Sequence, residues 1–299
     1  MSELSHKSPL KILIHGRHFP VAMFRWFHWA FENLGHEVYT VGPYSAGTIP
    51  WGDFYYPNHK YPPNMVLPET NVYLPDVLKE IPFKPDFILQ AGDSIWMEGP
   101  SKVPNYILAT DPHVVDYTQR LLNADGYFYM QSYCKPDKAK WIPYAYDPDI
   151  HIKKKKPKKY DIVFCGLQYE HRLKTIEAFK KEGLKVFNAL GLIYDDYADK
   201  YAEGTIAFNW SSKEDLPARF WEGLAMGKLV LTSRVPDLDL LEFEDGVDYV
   251  GFSSLEEAVE KAKFYLKNPK LSLQLSRSGY EKVKPHTYMK RAQEIIDNL

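Results

Sequence analysis

Residues 213–233 read KEDLPARFWEGLAMGKLVLTS, and this stretch decides the fold. Pro217 favours the first turn of a helix, because proline there gives up an amide hydrogen that has no partner in any case. Asp215 is a candidate cap before it. Gly227 can take the left-handed conformation that ends helices. The stretch therefore predicts a helix that begins near Leu216 and stops at Gly227, and the apolar residues that follow predict a strand.

The start of this helix suits an anionic ligand. A loop that leads into a helix amino terminus offers amide hydrogens and the positive end of the helix dipole, and Pro217 and Ala218 lie at that position. Arg219 adds a planar cation that matches the geometry of a phosphate. Glu222 is placed to accept hydrogen bonds from ribose hydroxyls, and Glu214 from the hydroxyls of a sugar. The alternative is an ordinary amphipathic helix whose glutamates face water.

Glu214 and Glu222 have seven residues between them, and Gly-Leu-Ala-Met-Gly-Lys follows directly. This pattern resembles the Glu-x7-Glu signature of retaining glycosyltransferases with the GT-B fold. With Arg219 inside it, the pattern is most similar to the CgeB/YkvP-like branch of the group 1 (GT4-like) transferases. One departure is that Leu-Pro-Ala-Arg at 216–219 stands where the family usually has a Gly-Phe-Gly loop.

Two further segments match the same family in the same order. Asp-Ile-Val-Phe-Cys-Gly at 161–166, followed by Arg172, resembles the first strand and glycine turn of the family's carboxyl-terminal domain. Family members place a glycine and a basic residue near the diphosphate there. His-Thr-Tyr at 286–288, with Arg291, resembles the family's closing segment. The resemblance extends over residues 104–295.

The resemblance implies an α/β fold of the GT-B type, with two Rossmann-like domains whose parallel sheets face each other across a cleft. We expect an acceptor-side domain over residues 1–148 and a nucleotide-sugar-binding domain over 149–285. A closing helix over 286–299 is expected to pack back toward the first domain. The implied activity is that of a hexosyltransferase, which moves a sugar from a nucleoside-diphosphate sugar to an acceptor hydroxyl, with retention and without a metal or other cofactor. A UDP-sugar is the favoured donor.

The site residues follow from the same comparison. Glu214 and Arg219 are assigned catalytic roles. Ser211, in Trp-Ser-Ser just before Glu214, can contact the nucleotide or the sugar, although packing at a strand end explains it equally well. The donor-binding candidates lie at strand ends or at the helix start: Gly16, Gly166, Arg172, Ser211, Pro217, Ala218 and Glu222.

The acceptor is expected at the first domain. Strands predicted over 86–90 and 105–109 each end before a polar cluster, and open α/β sheets bind ligands beyond the carboxyl ends of their strands. Asp93, Asp111 and His113 lie in these clusters. A histidine beside an aspartate can orient a hydroxyl or move a proton near neutral pH, so Asp111 and His113 are assigned catalytic roles. The alternative is an ordinary loop contact.

Length and charge agree with this interpretation. A chain of 299 residues exceeds one usual core and predicts two domains of about 150 residues each. A net charge of −2 gives no general sign of binding to nucleic acid or to an anionic membrane. No apolar run reaches the length of a membrane span, and the amino terminus is polar, so we expect a cytoplasmic protein.

Several alternatives stay open on the sequence alone. The basic run at 153–159 is either a solvated linker or a contact for an anionic acceptor such as DNA. Asp237 and Asp239 have the Asp-x-Asp spacing of metal-dependent transferases, but we interpret them as a solvated turn and expect no metal. The acceptor is a glycan, a small molecule or modified DNA. The alternatives to this function are an epimerase or phosphorylase on the same scaffold, a non-catalytic spore-coat or scaffold-type protein, and a viral DNA-base glycosyltransferase.

Overall fold

The computed structural model of the protein describes residues 8–49, 54–56, 61–92 and 95–299. The candidate Asp93 lies outside the described residues. The described chain divides into two compact units. One contains the residues up to Ile142 and those from Arg291 onward, and the other is Pro143–Lys290.

The first unit is built around a parallel sheet. Its strands are β1 (Lys11–His15), β2 (Glu37–Gly42), β3 (Thr48–Ile49), β4 (Phe54–Tyr55), β5 (Met65–Val66), β6 (Val72–Tyr73), β7 (Phe87–Ala91), β8 (Met97–Glu98), β9 (Asn105–Ala109), β10 (Gly126–Tyr129) and β11 (Lys140–Trp141). Its helices are α1 (Met23–Asn33), α2 (Leu74–Glu80) and α3 (Thr118–Leu121). Seven strands form one sheet in the order β11-β10-β9-β7-β1-β2-β5, while β3 pairs with β4 and β6 with β8.

The sequence of β1 explains its central position. Ile12, Leu13 and Ile14 are fully buried, as expected for a parallel strand that is covered on both faces. The helix α1 presents Phe24, Phe27 and other large apolar side chains that are also fully buried. Burial of that apolar surface is the main stabilisation of the unit.

The second unit repeats strand and helix in alternation. Its elements are β12 (Tyr160–Cys165), α4 (Glu170–Lys181), β13 (Val186–Ala189), α5 (Tyr194–Ala202), β14 (Gly204–Asn209), α6 (Ala218–Ala225), β15 (Leu229–Ser233), a 3₁₀ helix (Pro236–Leu240), β16 (Val250–Phe252), α7 (Leu255–Lys267) and α8 (Pro269–Val283). The sheet order is β13-β12-β14-β15-β16, and every pairing is parallel. The last helix, α9 (Tyr288–Ile296), begins in the second unit and ends in the first.

This strand order positions the site. After β12 the chain adds β13 on one side of it and β14 on the other. The crevice beyond the carboxyl ends of β12 and β14 is therefore the switch point of the sheet, which is where open α/β sheets bind ligands.

Three local predictions need correction. The helix of the 213–233 stretch begins at Ala218 with Pro217 as its cap residue, not near Leu216. Asp215 does not cap it, because its Oδ1 accepts from the Ser212 hydroxyl at 2.8 Å and from the Lys213 amide at 3.0 Å. Asp237 does not lie in a solvated turn, since its side chain is fully buried at the 3₁₀ helix.

No helix among the described residues combines the length and the apolar character that crossing a bilayer requires.

Candidate active site

Gly166 and Arg219 lie together at the switch point of the second sheet. Arg219 Nε donates to the Cys165 carbonyl at 2.8 Å, and Nη1 donates to Asn209 Oδ1 at 2.7 Å. Gly166 has φ +152°, and a Cβ built on it would lie 2.1 Å from Arg219 Nη2. Only glycine therefore lets the guanidinium take this place between the ends of β12 and β14.

A second guanidinium, that of Arg172, lies close to the half-buried Arg219. Arg172 is 4% exposed, and it donates to the Trp210 carbonyl at 2.6 Å and to the Leu167 carbonyl at 2.9 Å. Burial first, and then repulsion from Arg219, lowers the pKa of Arg172 to about 9. The group is still charged at neutral pH, so its hydrogen bonds to carbonyls hold a cation that an anionic ligand would stabilise further.

Glu222 is held by two residues from other elements. The Tyr197 hydroxyl in α5 donates to Oε2 at 2.6 Å. His151 Nε2 lies 3.4 Å from Oε1, and the Asp147 amide donates to His151 Nδ1 at 3.0 Å. Because Nδ1 accepts, the ring proton is placed on Nε2, facing the carboxylate. Burial, and next the Glu222 carboxylate, raises the pKa of Tyr197 well above its usual value, which keeps the phenol a donor.

The amino terminus of α6 is the third component. Pro217 is its cap residue, and no side chain caps the helix end. The Phe220 amide donates to the Pro217 carbonyl at 3.1 Å, whereas the Ala218 and Arg219 amides lie at the positive end of the helix. Pro217 and Ala218 are half-buried. They follow the loop that leads from β14 into α6.

Ser211 and Glu214 lie in that loop. The buried Ser211 donates its amide to Ser233 Oγ at 3.0 Å, and its carbonyl contacts His171 Nε2 at 3.1 Å. The Glu214 side chain is exposed, and within the described residues no hydrogen bond or ion pair fixes its carboxylate. The two glutamates of the motif are thus held very differently.

Three candidates belong to the first unit. Gly16 directly follows β1, and its amide donates to the Val41 carbonyl at 3.2 Å. A Cβ on Gly16 would lie 3.0 Å from the Ala91 carbonyl oxygen. Asp111 and His113 share the turn after β9, in which the Val114 amide donates to the Asp111 carbonyl at 2.9 Å. All three lie at the carboxyl edge of the first sheet.

The basic run at 153–159 is attached to α5. Lys154 and Lys156 both bond to Asp199, and Lys159 bonds to Glu203 at 2.6 Å. Since these three lysines are paired with acids of the same unit, this part of the run is not a free cationic surface. This pairing favours the interpretation of the run as a linker.

Sequence reasoning missed the residues that hold the motif in place. Tyr197, His151 and Asn209 each contact Glu222 or Arg219. The tyrosines of α5 recur three and four residues apart at 194, 197 and 201, a spacing typical of a buried helix face. That spacing predicts burial, but nothing in it indicates a partner in α6.

Residues of the described chain include no group of three or more His, Cys, Asp or Glu arranged to hold a metal ion.

Comparison with known proteins shows which family and which structures the chain resembles. Residues 152–297 match the family model described as "Glycosyl transferase-like". No curated protein matches the sequence.

Three solved structures match nearly the whole chain. An alpha-glucosyltransferase in complex with UDP-glucose and DNA containing an abasic site is 12% identical, with a TM-score of 0.64, over 97% of this chain and 99% of that one. Sucrose-phosphate synthase from Thermosynechococcus elongatus is 12% identical, with a TM-score of 0.66, over 97% and 98%. HepE from Anabaena in complex with UDP-glucose is 11% identical, with a TM-score of 0.64, over 97% and 100%.

These likenesses confirm the predicted fold: the chain is an α/β protein with the GT-B fold. Residues 152–297 are similar to a glycosyltransferase-like domain. The family model and the fold together support a GT-B glycosyltransferase.

Proposed function

We propose that this protein transfers a sugar from a nucleoside-diphosphate sugar, with UDP-sugar as the favoured donor, to an acceptor hydroxyl. The observation that carries the proposal is the immobilised Glu222 carboxylate together with the half-buried Arg219 and the buried Arg172 at the switch point of the second sheet. A carboxylate suits ribose hydroxyls, and the cations suit a diphosphate. The UDP-glucose bound in two of the similar structures supports the same donor class.

The proposed chemistry is electrostatic. As the bond from the anomeric carbon to the phosphate oxygen breaks, negative charge grows on the leaving diphosphate. Arg219, Arg172 and the first-turn amides of α6, around Pro217 and Ala218, stabilise that charge without having to reorganise. Gly166 allows the Arg219 guanidinium to lie there, and Ser211 lines the same loop. These fixed cations supply the positive charge that we propose makes a metal unnecessary.

The remaining roles are part of the proposal. Glu214, which is exposed in the loop between β14 and α6, is proposed to contact the transferred sugar. Asp111 and His113, which follow β9 in the first unit, are proposed to orient the acceptor hydroxyl. Gly16, which follows β1 of the same sheet, is included in this proposal. Transfer of a hexose, retention at the anomeric carbon, the CgeB/YkvP-like branch and a cytoplasmic setting rest on the sequence resemblance and composition.

The test is a panel of UDP-, GDP-, ADP- and TDP-sugars in thermal-shift and calorimetric assays. A ligand that binds the native state raises its apparent stability. We expect one nucleotide sugar to stabilise the wild type and to lose this effect in Glu222→Gln. Glu177→Gln, an exposed carboxylate on α4 paired with Lys180, is the matched control. The selected donor is then incubated with candidate hydroxyl acceptors, and glycosylated product is detected by mass spectrometry.

The outcomes separate the alternatives. A lack of response to every nucleotide sugar would favour a non-catalytic scaffold-type protein. Conversion of the donor without any acceptor would indicate an epimerase. The DNA-base alternative relied on the basic run, and three of its lysines bond instead to carboxylates: Lys154 and Lys156 to Asp199 in α5, and Lys159 to Glu203 directly after it.

A further inference from the structure

A second cavity lies at the opposite edge of the second sheet from the candidate donor site. It has a volume of about 420 Å³. Thr205 and Leu229, at the amino ends of β14 and β15, line it. Gly166 and Ser211 follow the carboxyl ends of strands in the same sheet, so the two sites are separated by its length.

Four lysines line this cavity, namely Lys153, Lys154, Lys158 and Lys228, and none of the described residues that line it is acidic. Lys154 is neutralised from outside by Asp195 and Asp199. For Lys158 and Lys228, the described residues supply no ion pair. The cavity is therefore lined by amines that no acid among the described residues of its lining balances.

Lys158 and Lys228 donate to the same two backbone carbonyls. Lys158 Nζ donates to the Ala202 and Gly204 carbonyls at 2.9 and 2.7 Å. Lys228 Nζ reaches the same two oxygens at 3.4 and 3.1 Å, although Lys228 is only 5% exposed. Burial, and next the neighbouring Lys158, lowers the pKa of Lys228 from 10.5 to about 6, so its amine is mostly neutral at pH 7 in the free protein. A phosphate beside Lys158 would favour protonation of Lys228, so that both amines then donate to it.

Lys153 reaches the same cavity by passing over Gly227. Its aliphatic chain crosses Gly227, where an added Cβ would lie 2.9 Å from Lys153 Cε. Its ammonium lies 4.5 Å from the centre of the Tyr280 ring, a cation–π contact. The glycine that ends α6 thus also makes room for a third cation.

The other walls are mainly apolar. Met226, Leu229, Leu266 and Leu273 line the cavity together with the Tyr265 ring. A pocket with convergent cations at one part and apolar walls around it matches a ligand with a phosphate and an apolar body.

We propose that this cavity binds a phosphate monoester through Lys158, Lys228 and Lys153, with the apolar part of the ester against the leucines and Tyr265. The site is independent of the donor site, and its ligand is a small phosphorylated molecule. Inorganic phosphate shares the anionic chemistry but cannot use the apolar walls.

The experiment is isothermal calorimetry of the full chain with inorganic phosphate and, separately, with phenyl phosphate. Lys228→Met and Lys158→Met each remove one cation, and Lys174→Met on α4 is the matched control because that lysine is exposed and paired with Glu170. We expect saturable binding of phenyl phosphate that weakens about tenfold or more in both cavity variants, since each removes a charge-assisted hydrogen bond. Lys174→Met and Glu222→Gln should bind as the wild type does.

Each outcome decides the proposal. The proposal would be overturned if neither compound bound saturably. It would also be overturned if the wild type and both cavity variants bound phenyl phosphate with equal affinity. Equal affinity for the two compounds would assign the site to free phosphate and remove the apolar part of the inference. Lys158 is exposed, so its variant carries the test if Lys228→Met does not fold. Without ligand, Lys228→Met should melt no lower than the wild type near pH 7, because it replaces a buried amine with an apolar side chain while Lys158 still donates to the Ala202 and Gly204 carbonyls; a purely structural lysine would lower the melting temperature.

Discussion

Tyr197 in α5 donates a hydrogen bond of 2.6 Å to Glu222 in α6, and His151 approaches the other oxygen of the same carboxylate at 3.4 Å. The carboxylate is fixed by residues that lie far from it in the sequence. A side chain that is already immobilised loses less conformational entropy when a ligand binds. We therefore expect Glu222 to be organised for its ligand before the ligand arrives.

Replacing Tyr197 with Phe tests this organisation. The ring packing stays, but the hydrogen bond to Glu222 is lost, so donor affinity should fall about threefold to tenfold with little change in the melting temperature. Tyr201→Phe is the matched control. Its ring lies 4.6 Å from that of Tyr197, and its hydroxyl does not bond to Glu222. Calorimetry with the selected nucleotide sugar measures both variants, and an equal effect of the two would contradict the role given to Tyr197.

Gly166→Ala tests the place of the Arg219 guanidinium. The new Cβ would lie 2.1 Å from Arg219 Nη2, so the guanidinium must move, and donor affinity should fall about tenfold or more. Gly183→Ala is the control. It also has a positive φ, +80°, but no atom lies within 4 Å of its added Cβ. Backbone strain of about 1 kcal/mol or more is expected in both variants, and loss of donor binding only in the first.

Phe208→Ala should destabilise the second unit. Phe208 is fully buried in β14 and contacts the rings of Phe164, Phe179 and Phe252. Removal of such a ring costs about 3–5 kcal/mol of the free energy of unfolding, because it leaves a cavity. Urea denaturation followed by circular dichroism measures the cost. Phe264→Ala, at a ring that is 50% exposed, should lose much less, and similar losses would argue against the observed core.

His18 predicts a pH dependence in the first unit. Burial lowers the pKa of His18 from 6.5 to about 3. Between these values the unfolded chain binds a proton that the folded chain does not, so the free energy of unfolding falls as the pH is lowered from 6.5 toward 3. The expected slope is about 1.4 kcal/mol per pH unit from this group.

The variant His18→Phe isolates that contribution. It keeps an aromatic ring beside Phe24, whose centre lies 3.7 Å from that of His18. Urea midpoints measured across this pH range should vary less in the variant than in the wild type. Parallel pH profiles would show that His18 is protonated in the folded protein.

The sequence predicts what short-range chemistry determines. The glycine at 227 ends α6, the strand after it forms, and strand and helix alternate through the second unit as expected. These features depend on residues within a few positions of one another, so one unaligned chain contains the information.

The start of α6 shows where local reasoning fails. Asp215 has the chemistry of a helix cap, but the same oxygen can close a turn with Ser212 and Lys213, and the turn prevails. Asp237 is polar and lies in a short acidic segment, yet it is buried. Both outcomes depend on competition between alternatives that the sequence makes available together.

The support of Glu222 is beyond the sequence for a different reason. Tyr197 is 25 residues away along the chain, and His151 precedes the first strand of the unit. Only the packing of α5 and of the linker against α6 brings these side chains to the carboxylate, and no local pattern encodes that packing.

The parallel order of the second sheet also has a kinetic consequence. Tyr160 in β12 pairs with Gly204 in β14, 44 residues later, and in the first unit Ile12 pairs with Phe87, 75 residues later. Neither central pairing can nucleate from a tight hairpin, since a crossover helix must be traversed first. The helices gain order from local contacts, whereas the central strands repay their loop-closure entropy only when distant segments meet. We therefore expect the docking of β12 with β14 and of β1 with β7 to limit the rate of refolding, and the candidate donor site, built on the ends of β12 and β14, to be assembled only at that step.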